Sequence, residues 1–221
     1  MNILISFCLF FLISCSHTPK TNSFAITASS SGLMKNHIIP FAVYLTDSLE
    51  DRTSLEKKYE KKLFIIHTGH ILDPKLTKTE NVAQLENLVN KGFDLVNLAL
   101  EDIIIADVQD IKFDQYNQTF LNSSVIDLSQ DSLVSAKNIV PKYIHDSIAF
   151  IGLSDDALEK KLPKEKFIIS DYVLAILKVK KEVMKNTNNP IKSFVIIHSL
   201  GSDINDIMSR LPPSFINSLA D

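Results

Sequence analysis

Six side chains of the types that ligate metal ions fall at the ends of predicted β-strands, on one edge of a sheet, where α/β proteins place their functional sites. These side chains are Asp47, His67, His70, Glu101, Asp102 and His198. Imidazole nitrogens together with carboxylate oxygens suit a single divalent ion such as Mn, Zn, Fe or Ca. The alternative is that they are ordinary polar loop residues. We favour this alternative, with no catalytic residue and no resident cofactor, because a catalytic site requires several matching roles at once.

Other catalytic chemistries lack their sequence signatures. The chain contains no Gly-x-Ser-x-Gly, no phosphate-binding glycine loop and no His-Glu-x-x-His. Its two cysteines, Cys8 and Cys15, both lie near the N-terminus. A mature chain that starts at Cys15 therefore has no disulfide, and its folded domain offers no thiol for catalysis or for a thiolate metal site.

The N-terminus has the features of an export signal. Residues 2–14 form an apolar run without a charge. The run is shorter than the roughly 20 residues that a membrane-spanning helix needs, and its position predicts a signal peptide over residues 1–14. It ends in Leu12-Ile13-Ser14-Cys15, which resembles the lipobox of bacterial lipoproteins. The resemblance implies acylation of Cys15 by fatty acids such as palmitate, while a plain cleaved signal or an uncleaved anchor are the alternatives.

The segment that follows the cysteine is polar and rich in small residues. We expect residues 15–33 to form a flexible tether between lipid and domain. Ser16, which stands where an Asp would retain a lipoprotein at the inner membrane, favours the outer membrane. The net charge of −3 and the pI near 6.1 argue against a nucleic-acid partner. The expected partners are the membrane, through the anchor, and a protein of the cell envelope, while the sequence names no small-molecule ligand.

Residues 34–221 alternate apolar strands with amphipathic helices, which predicts an α/β domain with a layered sheet and flanking helices. Strands are predicted at 38–45, 63–67, 95–98, 119–121, 147–153 and 193–198, with short β segments at 125–128 and 138–144. Helices are predicted at 79–91 and 171–185. Several strands are continuous apolar runs, which is typical of strands buried on both faces.

The order of these elements resembles the calcineurin-like metallophosphoesterases, and in particular their periplasmic nucleotidase-like branch. The resemblance is strongest over Asn81–Leu98, which is similar to a helix of the family, the glycine that ends it and the strand that follows. Phe120–Val125 is similar to a loop segment that follows this part in the family, and Ile148–Ser154 and Phe194–Gly201 are similar to two later strands. The resemblance covers about Pro40 to Gly201. It implies hydrolysis of phosphate esters by two metal ions.

The family's ligands are mostly replaced in this chain. Asp47 stands at the first ligand position, but Leu49 occupies the place of the accompanying His. Gly69 is kept, while His70 replaces the carboxylate that bridges the two metals. The four residues from Ala99 to Asp102 replace Gly-Asn-His-Glu, so the catalytic His and the Asn ligand are absent. His198 lies one residue before the ligand position, which Ser199 occupies, and would therefore point to the other face of its strand.

These departures define two hypotheses about function. The first is a membrane-anchored envelope lipoprotein whose metallophosphoesterase-like domain, incomplete at its C-terminus, is a non-catalytic binding or structural module. The second is a lipid-anchored hydrolase of phosphate esters such as nucleotides, with a reduced metal site. We favour the first.

Overall fold

The structure is a computed structural model of the chain. It describes residues 23–27, 32–33, 41–128, 132–133, 139–154, 166–185, 191, 193–198 and 209–211. The strands in chain order are β1 (Ser23–Thr27), β2 (Gly32–Leu33), β3 (Ala42–Thr46), β4 (Leu63–His67), β5 (Leu95–Asn97), β6 (Phe120–Leu121), β7 (Val125–Asp127), β8 (Ser132–Leu133), β9 (Ile139–Val140), β10 (Tyr143–His145), β11 (Ile148–Leu153), β12 (Phe167–Ile169) and β13 (Ser193–His198). The helices are α1 (Arg52–Tyr59), α2 (Lys78–Asn90), α3 (Leu100–Val108) and α4 (Tyr172–Met184), with a 3₁₀ turn at Phe113–Gln115.

Two sheets with parallel centres form the middle of the domain. The six-stranded sheet has the order β2-β3-β4-β5-β6-β9, in which every strand except β2 runs parallel. The four-stranded sheet has the order β1-β13-β11-β10, with β10 antiparallel to the rest. A small antiparallel sheet of order β12-β7-β8 lies beside them.

The two large sheets pack face to face between layers of helices. Val43, Ile66, Phe150 and Val195 belong to one buried cluster that fills the space between the sheets. Helices α1, α2 and α3 cover the outer face of the six-stranded sheet, and α4 covers that of the four-stranded sheet. The order of layers is therefore helix, sheet, sheet, helix. This confirms the predicted α/β class with a layered sheet and flanking helices.

The alternation of side chains in β4 explains its continuous apolar sequence. Phe64 and Ile66 point into the space between the sheets, and Leu63 and Ile65 point towards the helices. Because successive side chains of a strand face opposite ways, a strand covered on both sides needs apolar residues at every position.

Most predicted elements are present with small shifts. The strands at 63–67 and 193–198 are confirmed at both ends. Each of the two predicted helices differs from the observed helix by one residue at both ends. The first predicted strand, 38–45, corresponds to β3, and its residues 38–40 lie outside the described residues. Among the described residues, no helix is long and apolar enough to cross a membrane.

The sequence did not predict α1, α3, β8 or β12. Helix α1 buries a single side chain, Leu55, so it carries almost no apolar periodicity. Two strands also lie inside the range 15–33 that was predicted as a tether. Ser23–Thr27 pairs with β13 and Gly32–Leu33 pairs with β3, so these residues are held by backbone hydrogen bonds and do not belong to a free tether.

Candidate functional site

The C-terminal ends of the parallel strands in both large sheets meet at one edge of the domain, which we call the carboxyl edge. The side chain of Asn97, at the end of β5, joins them there. Its Nδ2 donates to the Thr68 carbonyl at 3.4 Å, in the same sheet, and to the Leu153 carbonyl at 3.3 Å, in the other. Asp47, His67 and His198 lie in or directly after a strand at this edge, and His70 lies three residues after the end of β4.

Gly152 leaves the space that Asn97 occupies. A Cβ atom at this position would lie 2.2 Å from Asn97 Oδ1 and 2.8 Å from Leu121 Cγ. The Asn97 side chain is fully buried, and its Oδ1 accepts no hydrogen bond from any described residue. The close fit of the amide against glycine therefore fixes how the two sheets meet.

Asn122, directly after β6, makes a second link between the sheets. Its Nδ2 donates to Ser154 Oγ at 2.7 Å and to the Leu98 carbonyl at 3.1 Å, while Ser154 Oγ donates to the same carbonyl at 3.0 Å. Its Oδ1 accepts from the backbone of Val125 at 2.9 Å. Both Asn122 and Ser154 are buried, so these bonds form in a region shielded from water.

Two serines complete this link. Ser123 Oγ donates to the Pro141 carbonyl at 2.6 Å and accepts from the Gly152 N–H at 3.0 Å. Ser124 Oγ accepts from the Ser154 N–H at 2.9 Å. We call Asn97, Asn122, Ser123, Ser124 and Ser154 the polar seam. All five side chains are uncharged and buried, so the seam joins the sheets by neutral hydrogen bonds.

Asp102 is buried in the first turn of α3, and both of its carboxylate oxygens accept backbone hydrogen bonds. Oδ1 accepts from the N–H groups of Ile71 at 2.7 Å and Leu72 at 2.9 Å. Oδ2 accepts from those of Ala99 at 2.9 Å and His70 at 3.0 Å. Burial raises the pKa of Asp102, and the hydrogen bonds from Leu72, Ala99 and Ile71 oppose that shift. The carboxylate therefore holds the loop after β4 against the start of α3.

The loop after β4 has the backbone conformation that this arrangement requires. Gly69 has a φ of +110° and His70 has a φ of +58°. A Cβ at Gly69 would also lie 3.0 Å from the Ala99 nitrogen, so glycine is needed for both its conformation and its close approach. The hydrogen bond from the His70 N–H to Asp102 supports the left-handed conformation of His70.

His67 is the last residue of β4 and is 2% exposed. Its Nδ1 accepts from the Gly69 N–H at 3.2 Å, which assigns the proton of the neutral ring to Nε2. Burial lowers the pKa of His67 to about 4, although the nearby Asp47 carboxylate and a hydrogen bond with the Asp47 backbone act in the opposite direction. The ring also meets Phe93 edge-on, with centroids 5.3 Å apart. His67 is therefore a neutral, hydrogen-bonded part of the core at pH 7.

The remaining candidates are partly open to solvent or lie in the other sheet. His70 Nδ1 is 3.9 Å from Glu101 Oε2, and these side chains are 48% and 34% exposed. Asp47 is exposed after β3. His198 ends β13 and is 3% exposed, and burial lowers its pKa. Because strand faces alternate, His198 shares the face of Phe194 and Ile196, which pack towards α4.

These positions do not fit a binuclear metal centre. Both oxygens of Asp102 and the Nδ1 atom of His67 are already engaged with backbone N–H groups. Within the described ranges, no three His, Cys, Asp or Glu side chains form a group that could hold a metal ion. The structure brings His70 close to Glu101 and places Asp47 near His67. Binding of a divalent ion at these residues stays a prediction.

The sequence predicts Glu101 and Asp102 in a loop after a strand, whereas they lie in the first turn of α3. The apolar run that follows these two residues belongs to the helix, and a first turn is the place where the helix dipole favours acidic residues. The seam residues Asn97 and Ser154 were missed as well. The sequence feature that could have indicated these two residues is a polar side chain at the end of a buried apolar strand.

No protein-family model and no curated protein sequence matches the chain. Among solved structures, it is similar to the sulfate thiohydrolase SoxB of Thermus thermophilus, determined in complex with glycerol, with a TM-score of 0.52 and 13% identity. The match covers 74% of this chain and 31% of that chain, so this chain spans about a third of the SoxB length. SoxB belongs to the calcineurin-like metallophosphoesterases. At this identity the likeness shows the fold alone, and it agrees with the resemblance seen in the sequence.

Replacing Asp102 should destabilise the domain far more than replacing its neighbour. In Asp102→Asn, an NH₂ group faces two N–H donors that an oxygen accepts in the wild type. We expect the free energy of unfolding to fall by about 2–4 kcal/mol. Glu101→Gln, in the same helical turn, should change it by less than about 0.5 kcal/mol. Urea unfolding of both variants measures the difference, and equal effects would contradict the role assigned to Asp102.

The buried neutral His67 should make the domain sensitive to acid. An unfolded chain protonates this histidine below pH about 6.5, whereas the folded chain does so only near pH 4. The free energy of unfolding should therefore fall by about 3 kcal/mol as the pH falls from 6.5 to 4. In His67→Gln the free energy of unfolding should fall less steeply over this range. A wild-type slope in His67→Gln would contradict the buried neutral state assigned to His67.

Proposed function

We propose that the protein is a membrane-anchored lipoprotein of the cell envelope whose metallophosphoesterase-like domain is a non-catalytic binding or structural module. The observation that carries the non-catalytic part is the engagement of Asp102 with four backbone N–H groups. The anchored part is supported by the apolar N-terminal run and the lipobox-like Leu12–Cys15.

Metal-dependent hydrolysis needs carboxylates and imidazoles with free lone pairs around an open coordination position. For Asp102 to ligate a metal, it would have to release hydrogen bonds that hold the loop after β4. For His67 to ligate through Nδ1, it would have to release the Gly69 N–H. Both changes would leave buried N–H groups without acceptors, which costs about 1–3 kcal/mol for each group.

The same hydrogen bonds favour a role in binding. The polar seam and Asp102 hold the loops of the carboxyl edge in one arrangement through hydrogen bonds between protein groups. Asp47, His70 and Glu101 are the candidate ligands that stay partly exposed there. A rigid edge with exposed polar side chains suits recognition of a partner, because little conformational entropy is lost on binding.

One observation favours the alternative hydrolase. The Nδ1 atom of His70 lies 3.9 Å from Oε2 of Glu101. These two atoms would supply one nitrogen and one oxygen ligand of a mononuclear metal site. The two functions therefore differ in whether His70 holds a metal.

Metal content separates the two functions. A chain from Ser16 onward keeps every described element, since β1 begins at Ser23. We expect this chain to hold no stoichiometric Mn, Zn, Fe or Ca by mass spectrometry, and to show no phosphatase turnover when these metals are added. Stoichiometric metal together with phosphatase turnover, both lost in His70→Ala but kept in His145→Ala, would establish the hydrolase instead. His145 is a suitable control because its side chain is similarly exposed, at 40% against 48%.

Anchoring is tested separately in cells fed an alkyne-bearing fatty acid. Label should appear on the wild type and on Cys8→Ala, and should be absent from Cys15→Ala. Cys8 is the matched control because it lies in the same predicted signal but outside the lipobox. The labelled wild-type protein should fractionate with the outer membrane. Equal labelling of all three chains, or of none, would remove the lipoprotein from the proposal.

A further inference from the structure

The chain enters the domain at the edge opposite to the candidate site. Ser23, the first residue of β1, pairs with Ser193, and Ser193 also pairs with Ile148. All three residues start parallel strands of the four-stranded sheet. We call the edge formed by the N-terminal ends of these strands, and of the parallel strands in the six-stranded sheet, the amino edge.

The amino edges of the two sheets lie on the same side of the domain. The ring of Phe64, the second residue of β4, stacks on Phe150 of β11 with centroids 5.2 Å apart. It also stacks on His145 at 5.0 Å, and His145 pairs with the first residue of β11. At the other end, Asn97 bonds to the last residue of β11. The strands of both sheets therefore run from the amino edge towards the carboxyl edge.

Four exposed lysines lie at the amino edge. Lys57 and Lys58 belong to the last turn of α1, and Lys61 and Lys62 precede the first residue of β4. A helix dipole favours lysine in its last turn, but Lys61 and Lys62 lie beyond the helix. Glu60 is the exposed carboxylate within this run, so a strong positive charge remains.

We propose that these four lysines, the amino-edge lysines, bind the phosphate groups of an anionic lipid surface, and that the carboxyl edge faces away from the membrane. The orientation rests on the proposed anchor at Cys15, and it does not depend on whether the domain is catalytic. Lysine side chains near an anionic bilayer are attracted to it, and the attraction adds over neighbouring lysines.

The covalent geometry is compatible with this orientation. Eight residue steps separate Cys15 from Ser23, and they reach at most about 29 Å when fully extended. β1 and β4 are separated by a few strand spacings of about 4.8 Å and one sheet spacing of about 10 Å, so the lysines and the entry point fit on one surface. The six residues of β13 place the carboxyl edge about 20 Å further from that surface.

The consequence concerns the partner of the candidate site. Asp47, His70 and Glu101 project from the side of the domain that is remote from lipid. Their partner is therefore a soluble molecule or an envelope protein that approaches from the aqueous side, and not a phospholipid of the anchoring membrane.

The test attaches the protein to vesicles without relying on lipidation in cells. A chain from Cys15 onward has one thiol, which couples to a maleimide phospholipid in vesicles that contain phosphatidylglycerol. Acetylation of exposed lysines is then followed by mass spectrometry. We expect the amino-edge lysines to react at least about five-fold more slowly than in the uncoupled chain. Lys75 and Lys78, exposed at the carboxyl edge, should react at an unchanged rate.

Two comparisons identify the cause of any protection. On phosphatidylcholine vesicles the protection should weaken, because the charge on the lipid is removed. For the uncoupled chain, each change of an amino-edge lysine to Gln should lower the affinity for phosphatidylglycerol vesicles about five-fold. The control variants Lys75→Gln and Lys78→Gln should bind these vesicles with the wild-type affinity. Protection of Lys75 and Lys78 instead, or equal rates for the two groups, would overturn the proposal. A failure of fatty-acid labelling in cells would disprove the natural anchor at Cys15. It would not affect the conclusion about lipid binding, because the vesicle experiment tests the lysines independently of the anchor.

Discussion

The Asp102 carboxylate accepts hydrogen bonds from four backbone N–H groups, and the shape of the carboxyl edge depends on this contact. It joins the loop after β4 to the start of α3, and it stabilises the left-handed conformation of His70. A buried carboxylate costs much free energy unless its oxygens are fully hydrogen-bonded, and here they are. Both oxygens of this carboxylate are thereby engaged with backbone N–H groups.

The polar seam has the corresponding function between the two sheets. Parallel sheets packed face to face leave polar backbone groups at their ends, and these groups must find partners when they are buried. Asn97 and Asn122 supply those partners with neutral amides, and Gly152 makes room for one of them. Hydrogen bonds between uncharged groups therefore hold the ends of the two sheets together.

Much of the fold could be predicted because its signals are local. The apolar runs of β4 and β13 and the stripe of α2 each reflect burial that a short window of sequence records. Helix α1 gave no such signal, since it buries only Leu55. The position of the candidate site at the ends of the strands could be predicted, whereas the arrangement of its side chains could not. The direction in which the Asp102 carboxylate points follows from the turn of α3, and residue type alone cannot distinguish a capping carboxylate from a ligand.

Amide hydrogen exchange tests the central claim most directly, because it observes the N–H groups that Asp102 accepts from. The amides of His70, Ile71, Leu72 and Ala99 should exchange slowly in the metal-free mature chain. Their rates should stay the same when Mn²⁺ or Zn²⁺ is added. Fast exchange without metal that becomes slow when metal is added would contradict the account, since it would mean that a metal ion, and not Asp102 through these bonds, orders the carboxyl edge.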